Sequence, residues 1–378
     1  MKKHAHVAAL AVVVSFGGIF LWRSARGAHA PPPQASVATV PPTVDLVFAL
    51  DTTGSMGGLL EGAKAKIWEV ARRAQEGKPS PKVRVGLVAY RDVGDAYVTQ
   101  VLDLTTDLDK VYATLTGFKA EGGGDGPEHV LKGLHDAVDG VQWSQDPSAV
   151  KLVYLVGDAE PHLDYKDGLT MDGVLGDATK KGIRISAIRC GNDNRTLAAW
   201  TQIAQRTDGE VATIEQTGGV VAVTTPYDDD LAHLNADLAR TEVHYGTALE
   251  QREADDVVRK NLAAPHAAQA DRAAFYGSSG GSGATKADLA AAPSASAVAD
   301  IPVAALPPAL QAMSADERVR FVEEKQKERQ AIMQKVRDMT SKREEFLRSK
   351  APAPAATSFD SKVYASLKKA GSKKGISF

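Results

Sequence analysis

The sequence has very little cysteine: Cys190 is the single one among 378 residues. An intrachain disulfide is therefore excluded, so a fold exported to an oxidising compartment must be held together by its apolar core. Because Cys190 ends an apolar run, the pattern favours a buried packing role, with an intermolecular disulfide as the alternative.

An excess of charge of one sign is also lacking, since 45 Lys and Arg residues nearly balance 47 Asp and Glu residues. The formal net charge of −2 gives no reason to expect a nucleic-acid partner. Charged residues make up 24% of the chain and apolar residues 43%, which are ordinary values for a globular protein. The length suits one medium domain with appendages, or two domains.

The apolar run near the N-terminus, at residues 7–22, is short for a membrane span, which needs ~20 residues. It follows two lysines and precedes the small residues 28–30, an arrangement that predicts a cleaved signal peptide over residues 1–30. A retained membrane anchor is the alternative, because Arg23 and Arg26 weaken the charge asymmetry that orients such a segment. In a cell of bacterial type, either form places the rest of the chain in the periplasm or outside the cell.

A proline-rich spacer at residues 31–42 precedes a regular alternation of strand and helix patterns. Continuous apolar runs at residues 44–50 and 150–157 predict central strands that are buried on both faces. The short turn between strand patterns at residues 83–90 and 96–104 predicts an antiparallel hairpin. Further strand patterns lie at residues 183–189 and 210–214, and helical spacing at residues 59–75, 129–138, 171–181 and 197–207. The predicted class is α/β: an open, mostly parallel, doubly wound sheet with one antiparallel edge hairpin, followed by a C-terminal helical region.

After this alternating region, the sequence predicts one long helix and then a linker. Pro226 opens the helix, which extends over residues 226–264 and carries an apolar stripe that must pack on another element. Residues 265–303 are rich in Ala, Gly and Ser, which predicts a flexible linker.

The last part of the chain combines an amphipathic helix with a basic tail. Ser314 and Glu317 form a capping box within residues 304–350, and the sparse apolar positions that follow predict a docking or coiled-coil helix. Residues 351–378 are interpreted as a solvated basic tail, with contact to anionic lipid or to an acidic partner as the alternative.

Oxygen-bearing side chains follow two of the apolar runs. Asp51, Thr53 and Ser55 come at the end of the first run, where alternate residues share a face. Asp158 follows the later central run, and Asp125 lies after three glycines in EGGGDGPEH, which allow a close backbone approach. Sheets of this class bind ligands at the carboxyl ends of their strands, and carboxylate and hydroxyl oxygens suit a hard divalent cation.

The pattern Asp51-x-Thr53-x-Ser55 resembles the D-x-[ST]-x-S signature of von Willebrand factor type A domains, in which it opens the metal-ion-dependent adhesion site. Asp158 is similar to the later aspartate of that family, and the order of strands and helices over residues 43–222 also matches. The likeness is greatest to bacterial exported members. It implies Mg²⁺, with Ca²⁺ or Mn²⁺ as alternatives, an open coordination position that takes a side chain from a protein partner, and no enzymatic activity.

The middle loop departs from that family, whose members often supply a threonine there. No Ser or Thr occurs between Gly117 and Trp143, so Asp125 is the natural substitute. Three carboxylates around one dication would leave a local charge of about −1. A carboxylate from a partner, the usual ligand in the family, would then be repelled.

A metal-dependent hydrolase is the alternative function. His129 and His162 lie near the same predicted strand-end surface, and with Asp158 or Glu160 they offer ligands for Zn²⁺. No H-x-x-x-H spacing supports this interpretation.

Other metal and phosphate sites are disfavoured or excluded. DTTGS is close to the D-K-T-G-T of cation-pump ATPases, but those proteins need many membrane spans, and phosphatases of the haloacid dehalogenase type want an aspartate where Thr53 stands. No P-loop motif occurs, and no acids follow Asp51 at the alternate positions of an EF-hand loop. Glu128 is interpreted as a first-turn helix residue, and Asp92 and Asp167 as turn residues.

Overall fold

The structure is a computed structural model that describes residues 41–124, 126–216, 223–278, 287–350 and 358–378. The predicted export segment and most of the predicted spacer lie outside these ranges. None of the helices within the ranges combines the length and the apolar character that crossing a bilayer requires.

A six-stranded sheet forms the centre of the fold, in the order β3-β2-β1-β4-β5-β6. The strands are β1 (Thr43–Asp51), β2 (Lys82–Tyr90), β3 (Thr99–Thr105), β4 (Val150–Gly157), β5 (Arg184–Cys190) and β6 (Val211–Ile214). β2 and β3 are antiparallel and the other neighbours are parallel, which confirms the predicted class. The strand order reverses between β1 and β4, the position at which such sheets bind ligands.

Helices cover both faces of the sheet. On one face lie α1 (Gly57–Gln75) and α2 (Leu108–Gly117), and on the other lie α3 (Val130–Asp139), α4 (Met171–Lys180) and α5 (Asn194–Arg206). Trp68 of α1 belongs to the same buried cluster as Phe48 of β1. Trp200 of α5 belongs to the cluster on the opposite face, with Val153 of β4. The continuous apolar runs of β1 and β4 are thus buried from both sides.

Helix α2 is an element that the sequence analysis did not predict. Its N-cap residue Asp107 accepts a hydrogen bond of 3.0 Å from the Lys110 backbone amide. Its large buried apolar residues are Leu108, Val111, Tyr112 and Leu115. This spacing of three and four residues is a helical signal, so the local sequence did specify the helix.

The single long helix predicted over residues 226–264 is wrong, because two helices stand there. They are α6 (Asp228–Ala239) and α7 (Ala248–Leu262). A capping box starts α7: the Thr247 amide donates to Glu250 Oε2 at 2.7 Å, and the Glu250 amide donates to Thr247 Oγ1 at 3.2 Å. This local capping satisfies amide donors at a new helix start, so the chain breaks before Thr247.

The flexible linker predicted over residues 265–303 is also wrong where the structure describes it. α8 (His266–Ser278) occupies the first part, and its Phe275 joins the core beneath α1. In the second part, Leu289 is buried in a separate apolar cluster. The alanines that suggested a linker are good helix formers and pack closely once aromatic side chains anchor the segment. Residues 279–286 lie outside the described ranges.

Two further helices follow, α9 (Pro308–Gln311) and α10 (Ala315–Lys350). The capping box precedes α10: Ser314 Oγ donates to Glu317 Oε2 at 2.7 Å, and the Glu317 amide donates to Ser314 Oγ at 3.4 Å. Val322 packs in the cluster that contains Leu289, and Val336 packs in another with Leu231 of α6. The apolar face of α10 therefore docks on its own chain.

The solvated basic tail predicted at residues 351–378 is wrong for its described part. There α11 (Phe359–Ser372) lies on the sheet face that also carries α1. Its fully buried apolar side chains are Phe359, Val363 and Leu367. Four-residue spacing puts them on one side of the helix, while Lys369 pairs with Glu210 at 2.5 Å on another. Lys362 within this stripe, and Lys368 and Lys369 directly after it, concealed the apolar stripe in the sequence.

Candidate metal centre

The end of β1 places the residues of the DTTGS stretch. Asp51 is the last residue of the strand, and its carboxylate oxygen Oδ1 accepts hydrogen bonds from the Thr53 amide at 2.8 Å and from Thr53 Oγ1 at 2.7 Å. A short 3-10 turn, Gly54–Met56, then leads into α1 and leaves Ser55 exposed. Thr53 donates its hydroxyl proton to Asp51, which leaves the oxygen lone pairs of Thr53 free to face a cation.

The other carboxylate oxygen of Asp51, Oδ2, is buried and has no hydrogen-bond partner among the described residues. Gly157, at the end of β4, lies against it: a Cβ on Gly157 would stand 2.9 Å from Oδ2. Burial raises the pKa of Asp51 to about 7, although the hydrogen bonds from Thr53 oppose the rise. A buried carboxylate oxygen without a partner is costly, and a bound cation would satisfy it.

Asp158 follows β4 and lines a cleft of about 200 Å³. The cleft is lined by Ser55, Gly126, Glu128, Asp158, Ala159, Glu160, Asp193, Arg195 and Thr196. Thr196 Oγ1 donates to the Asp158 carbonyl at 2.9 Å, which fixes the backbone at this point. The carboxylate oxygen Oδ2 of Asp158 accepts a hydrogen bond of 2.5 Å from the side-chain amide of Gln216. The structure thus brings Ser55 and Asp158 to one cleft, at the reversal of strand order.

The glycine-rich loop after α2 lies directly against the DTTGS turn. The Gly54 amide donates to the Gly122 carbonyl at 3.1 Å, and the Glu121 amide donates to the Thr52 carbonyl at 3.1 Å. Gly123 has a φ of +77°, and a Cβ on it would stand 3.3 Å from Thr53 Cβ. Glycine is therefore needed for this close approach. Asp125, the predicted ligand from this loop, lies outside the described residues.

Glu128 is a residue of this cleft that the sequence analysis missed. It was interpreted as a first-turn residue, but α3 starts at Val130, and Glu128 is 4% exposed. Its amide donates to the Glu160 carbonyl at 3.0 Å, which joins the loop to the segment after β4. A Cβ on Gly123 would stand 3.2 Å from Glu128 Oε1, so this carboxylate lies beside the DTTGS turn. The signal in the sequence is an acid directly after Gly-Pro in the glycine-rich stretch.

Arg91 is a second missed residue, and it joins the loops around the site. Its Nε donates to Thr52 Oγ1 at 3.3 Å, and its guanidinium donates to the Lys119 carbonyl at 2.7 Å. The guanidinium also lies 4.4 Å from the ring centroid of Tyr97, in the hairpin between β2 and β3. One buried arginine thereby fixes the DTTGS turn, the hairpin and the glycine-rich loop relative to one another.

The two histidines of the hydrolase alternative do not line the cleft. His129 Nε2 lies 3.1 Å from Asp167 Oδ2, and burial lowers the pKa of His129. Both imidazoles contact Tyr165, at centroid distances of 4.8 Å for His129 and 4.4 Å for His162. The Tyr165 hydroxyl donates to Asp92 at 2.7 Å. Asp92 and Asp167, interpreted as simple turn residues, are instead part of a packed polar cluster.

The donors that converge at the strand ends are carboxylate and hydroxyl oxygens, which fit a hard dication. Across the described ranges, no group of three or more His, Cys, Asp or Glu side chains is arranged to hold a metal ion. A cation bound here would therefore need the hydroxyls of Thr53 and Ser55 in addition to the carboxylates of Asp51 and Asp158. Cys190 is buried beneath it, as the sequence favours, and burial raises the pKa of its thiol.

A family model described as von Willebrand factor A domain matches residues 45–225. The von Willebrand factor A domain-containing protein 7 of Rattus norvegicus is 33% identical over 137 residues, 36% of this chain and 14% of that protein. The protein of the same name from Mus musculus is 29% identical over 195 residues, 52% of this chain and 20% of its own length. The chain thus spans a fifth or less of these two relatives. Among solved structures, the SpRpn10 VWA domain is similar over 49% of this chain and 100% of its own, with a TM-score of 0.35 and 14% identity.

Proposed function

We propose that this chain, whose residues 45–225 match the von Willebrand factor A domain model, binds a divalent cation at the ends of β1 and β4 and uses it to hold a protein partner. Mg²⁺ is the expected ion, with Ca²⁺ and Mn²⁺ as alternatives. The observation that carries the proposal is the buried, unpartnered Oδ2 of Asp51, beside the cleft that contains Ser55 and Asp158.

In this proposal, Asp51, Thr53, Ser55 and Asp158 hold the cation, and Asp125 adds a ligand from the glycine-rich loop. The cation supplies a Lewis-acidic coordination position for a side chain of the partner. Arg91 acts indirectly: its hydrogen bonds to Thr52 and Lys119 fix the loops that carry these ligands.

The charge of the cleft indicates which partner group fits. Besides Asp158, the acids Glu128, Glu160 and Asp193 line it, against the single base Arg195. Together with Asp51 these acids exceed the charge of one dication. A hydroxyl, amide or cationic group of the partner is therefore favoured over the carboxylate that is usual in this family.

No observation among the described residues favours the hydrolytic alternative. His129 and His162 are engaged with Asp167, Asp164 and the Tyr165 ring, and neither lines the cleft. A base placed beside a metal-bound water would have to face the ligands directly.

Two measurements on the purified chain test the proposal: calorimetric titration with Mg²⁺, Ca²⁺ and Mn²⁺ gives the affinity for each cation, and thermal unfolding with and without cation gives the change in melting temperature. Cation at ~100 times its dissociation constant stabilises the fold by about 2.7 kcal/mol, a rise of roughly 5–10 °C in melting temperature. Asp51→Asn removes one anionic ligand at constant shape, so it should abolish the rise. Asp164→Asn, an exposed change on the loop after β4, is the matched control and should keep it.

The proposal would be contradicted if none of the three cations raised the melting temperature of the parent protein. It would also be contradicted if the cations raised the melting temperature of Asp51→Asn as much as that of the parent. The partner is then sought by affinity capture from a cell-envelope extract, in Mg²⁺ and in chelator. Capture that Asp51→Asn loses and Asp164→Asn keeps would identify a cation-dependent partner. Capture that is identical in Mg²⁺ and in chelator would contradict the use of the cation in binding.

A further inference from the structure

Gln216 extends to the candidate cation site from the edge of the sheet that is formed by β6. It follows β6, the edge strand, while Asp158 follows β4, and β5 lies between these strands. The Gln216 side-chain nitrogen Nε2 donates to Asp158 Oδ2 at 2.5 Å and approaches the Ser55 carbonyl at 3.4 Å. Its side chain therefore crosses the end of β5 to contact two parts of the site.

The fold leaves space for this crossing. Gly191, directly after β5, has a φ of +74°, and a Cβ on it would stand 2.5 Å from Gln216 Oε1. The Gly191 amide also donates to the Ile214 carbonyl at 3.0 Å, which fixes the two strand ends side by side. Any larger residue at this position would push the Gln216 amide away from Asp158.

The hydrogen bond from Gln216 gives the two carboxylate oxygens of Asp158 different roles. Its Oδ2 is occupied by the Gln216 amide, so one oxygen, Oδ1, remains for a cation. Asp51 is divided in the same way, because Oδ1 accepts both hydrogen bonds from Thr53 and Oδ2 stays free. Both carboxylates are thus prepared to bind through a single oxygen.

Carboxylates that coordinate through one oxygen favour some cations over others. Mg²⁺ requires six ligands in near-ideal octahedral geometry, whereas Ca²⁺ accepts six to eight and often takes both oxygens of a carboxylate. Hydrogen bonds to the second oxygen of a ligand also orient it, and their loss commonly weakens metal binding by about 10–100-fold.

Resting on the proposed cation site, we infer that Gln216 is a specificity-determining residue of that site, which restricts Asp158 to one oxygen and so favours a small octahedral dication over Ca²⁺. Gln216 acts through Asp158 and is a positioning residue. It is exposed, so its role in the stability of the fold is small.

The test is calorimetric titration of the full chain with MgCl₂ and with CaCl₂, for the parent, Gln216→Met and Gln205→Met. Methionine keeps the length of the side chain and removes the donor. Gln205 is an exposed glutamine near the end of α5, which lies beside the start of β5, at the opposite end of the strands from the site, and serves as the matched control. Melting temperatures in chelator are measured for all three proteins.

In Gln216→Met we expect Mg²⁺ affinity to fall about tenfold or more. Ca²⁺ affinity should fall less, because the freed Oδ2 allows two-oxygen binding, so the preference for Mg²⁺ over Ca²⁺ declines. Gln205→Met should keep both affinities, and the melting temperatures in chelator should agree. An unchanged Mg²⁺-to-Ca²⁺ ratio in Gln216→Met overturns the inference alone, whereas a parent that binds neither cation overturns the cation site as well.

Discussion

The hydroxyl of Tyr154, in the central strand β4, donates a 3.0 Å hydrogen bond to the carbonyl of Val363 in α11, 209 residues later in the chain. The Phe48 ring of β1 stacks on Tyr154 at 5.2 Å and lies 6.1 Å from Phe359 of the same helix. The last helix therefore closes the core of the sheet. The helices between β6 and α11 are in effect an insertion between the final strand and the final helix of the domain.

Removal of the Phe359 ring should destabilise the whole fold. Phe359 is 1% exposed, and truncation of a buried phenylalanine to alanine costs about 3–5 kcal/mol. We expect Phe359→Ala to lower the free energy of unfolding in urea by this amount. Lys368→Ala, at an exposed position of the same helix, should change it by less than about 0.5 kcal/mol. Equal, small effects of both changes would contradict the docking of α11.

A buried ion pair fastens the inserted helices to the sheet domain. Arg272 of α8 contacts both carboxylate oxygens of Asp109 in α2, at 2.5 and 2.7 Å, and both residues are almost fully buried. Asp109→Ala removes the closest acidic partner of the buried guanidinium and leaves Glu242, at 3.2 Å, as its remaining acid, so we expect a loss of about 3–5 kcal/mol in the free energy of unfolding.

Adding Arg272→Met to Asp109→Ala should restore part of that loss, because the buried guanidinium that has lost its closest acidic partner is removed as well. Urea unfolding of the parent, both single variants and the double variant measures the coupling. Strictly additive effects would show that the pair contributes no coupling across the two parts.

The strands and the ends that carry Asp51 and Asp158 followed from the sequence, because continuous apolar runs specify buried strands and polar residues mark where they stop. The break between α6 and α7 and the docking of α11 did not. The docking of α11 depends on a surface that other segments supply, and lysines interrupt and follow its apolar stripe. The break before α7 is marked locally by the capping box that starts this helix, but the prediction followed the apolar stripe across it. The roles of Glu128, Arg91 and Gln216 could not be predicted for a related reason, because each residue acts through contacts with loops that are distant in sequence.

The cap of α2 should make stability depend on pH. Burial raises the pKa of Asp107 to about 6; the Lys110 amide opposes the rise, and the carboxylates of Asp109 and Glu242 add to it. The unfolded value is about 3.9, so the stability contributed by protonated Asp107 is full below ~4 and is lost as pH rises through ~6. Asp107→Asn keeps a capping oxygen without the charge, so it should become more stable relative to the parent across this range.

Urea unfolding at several pH values between ~4 and ~7.5 checks this expectation. Asp146 offers a control of opposite sign, because hydrogen bonds from Ser148 lower its pKa. Its titration is nearly complete by about pH 5, so Asp146→Asn should keep a constant stability difference from the parent between ~5 and ~7.5, where Asp107→Asn changes. A constant difference between Asp107→Asn and the parent at every pH would contradict the raised pKa.

The N-terminal prediction concerns the export of the protein. The short apolar run and the small residues before Pro31 predict cleavage after Ala30. Mass spectrometry of the protein isolated from the cell envelope should then show a mature chain that begins at Pro31. A chain that still begins at Met1 would contradict cleavage and favour the anchored form, and recovery from the cytoplasm alone would contradict export.

The last prediction asks which acid of the glycine-rich loop ligates the cation. The sequence points to Asp125, whereas the structure shows a buried Glu128 at the cleft. Capping of α3 does not explain Asp125, because the N-cap residue of that helix is His129. If Asp125 is a ligand, Asp125→Asn should weaken Mg²⁺ binding more than Glu128→Gln does, since an ionised oxygen attracts a dication more strongly than an amide oxygen. Asp125→Thr should also weaken cation binding and, by lowering the negative charge, improve binding of carboxylate-bearing peptides. If Asp125→Asn binds Mg²⁺ as tightly as the parent while Glu128→Gln does not, then Glu128 is the third carboxylate. If neither change alters affinity, the site has two carboxylates, and a partner carboxylate becomes the favoured ligand.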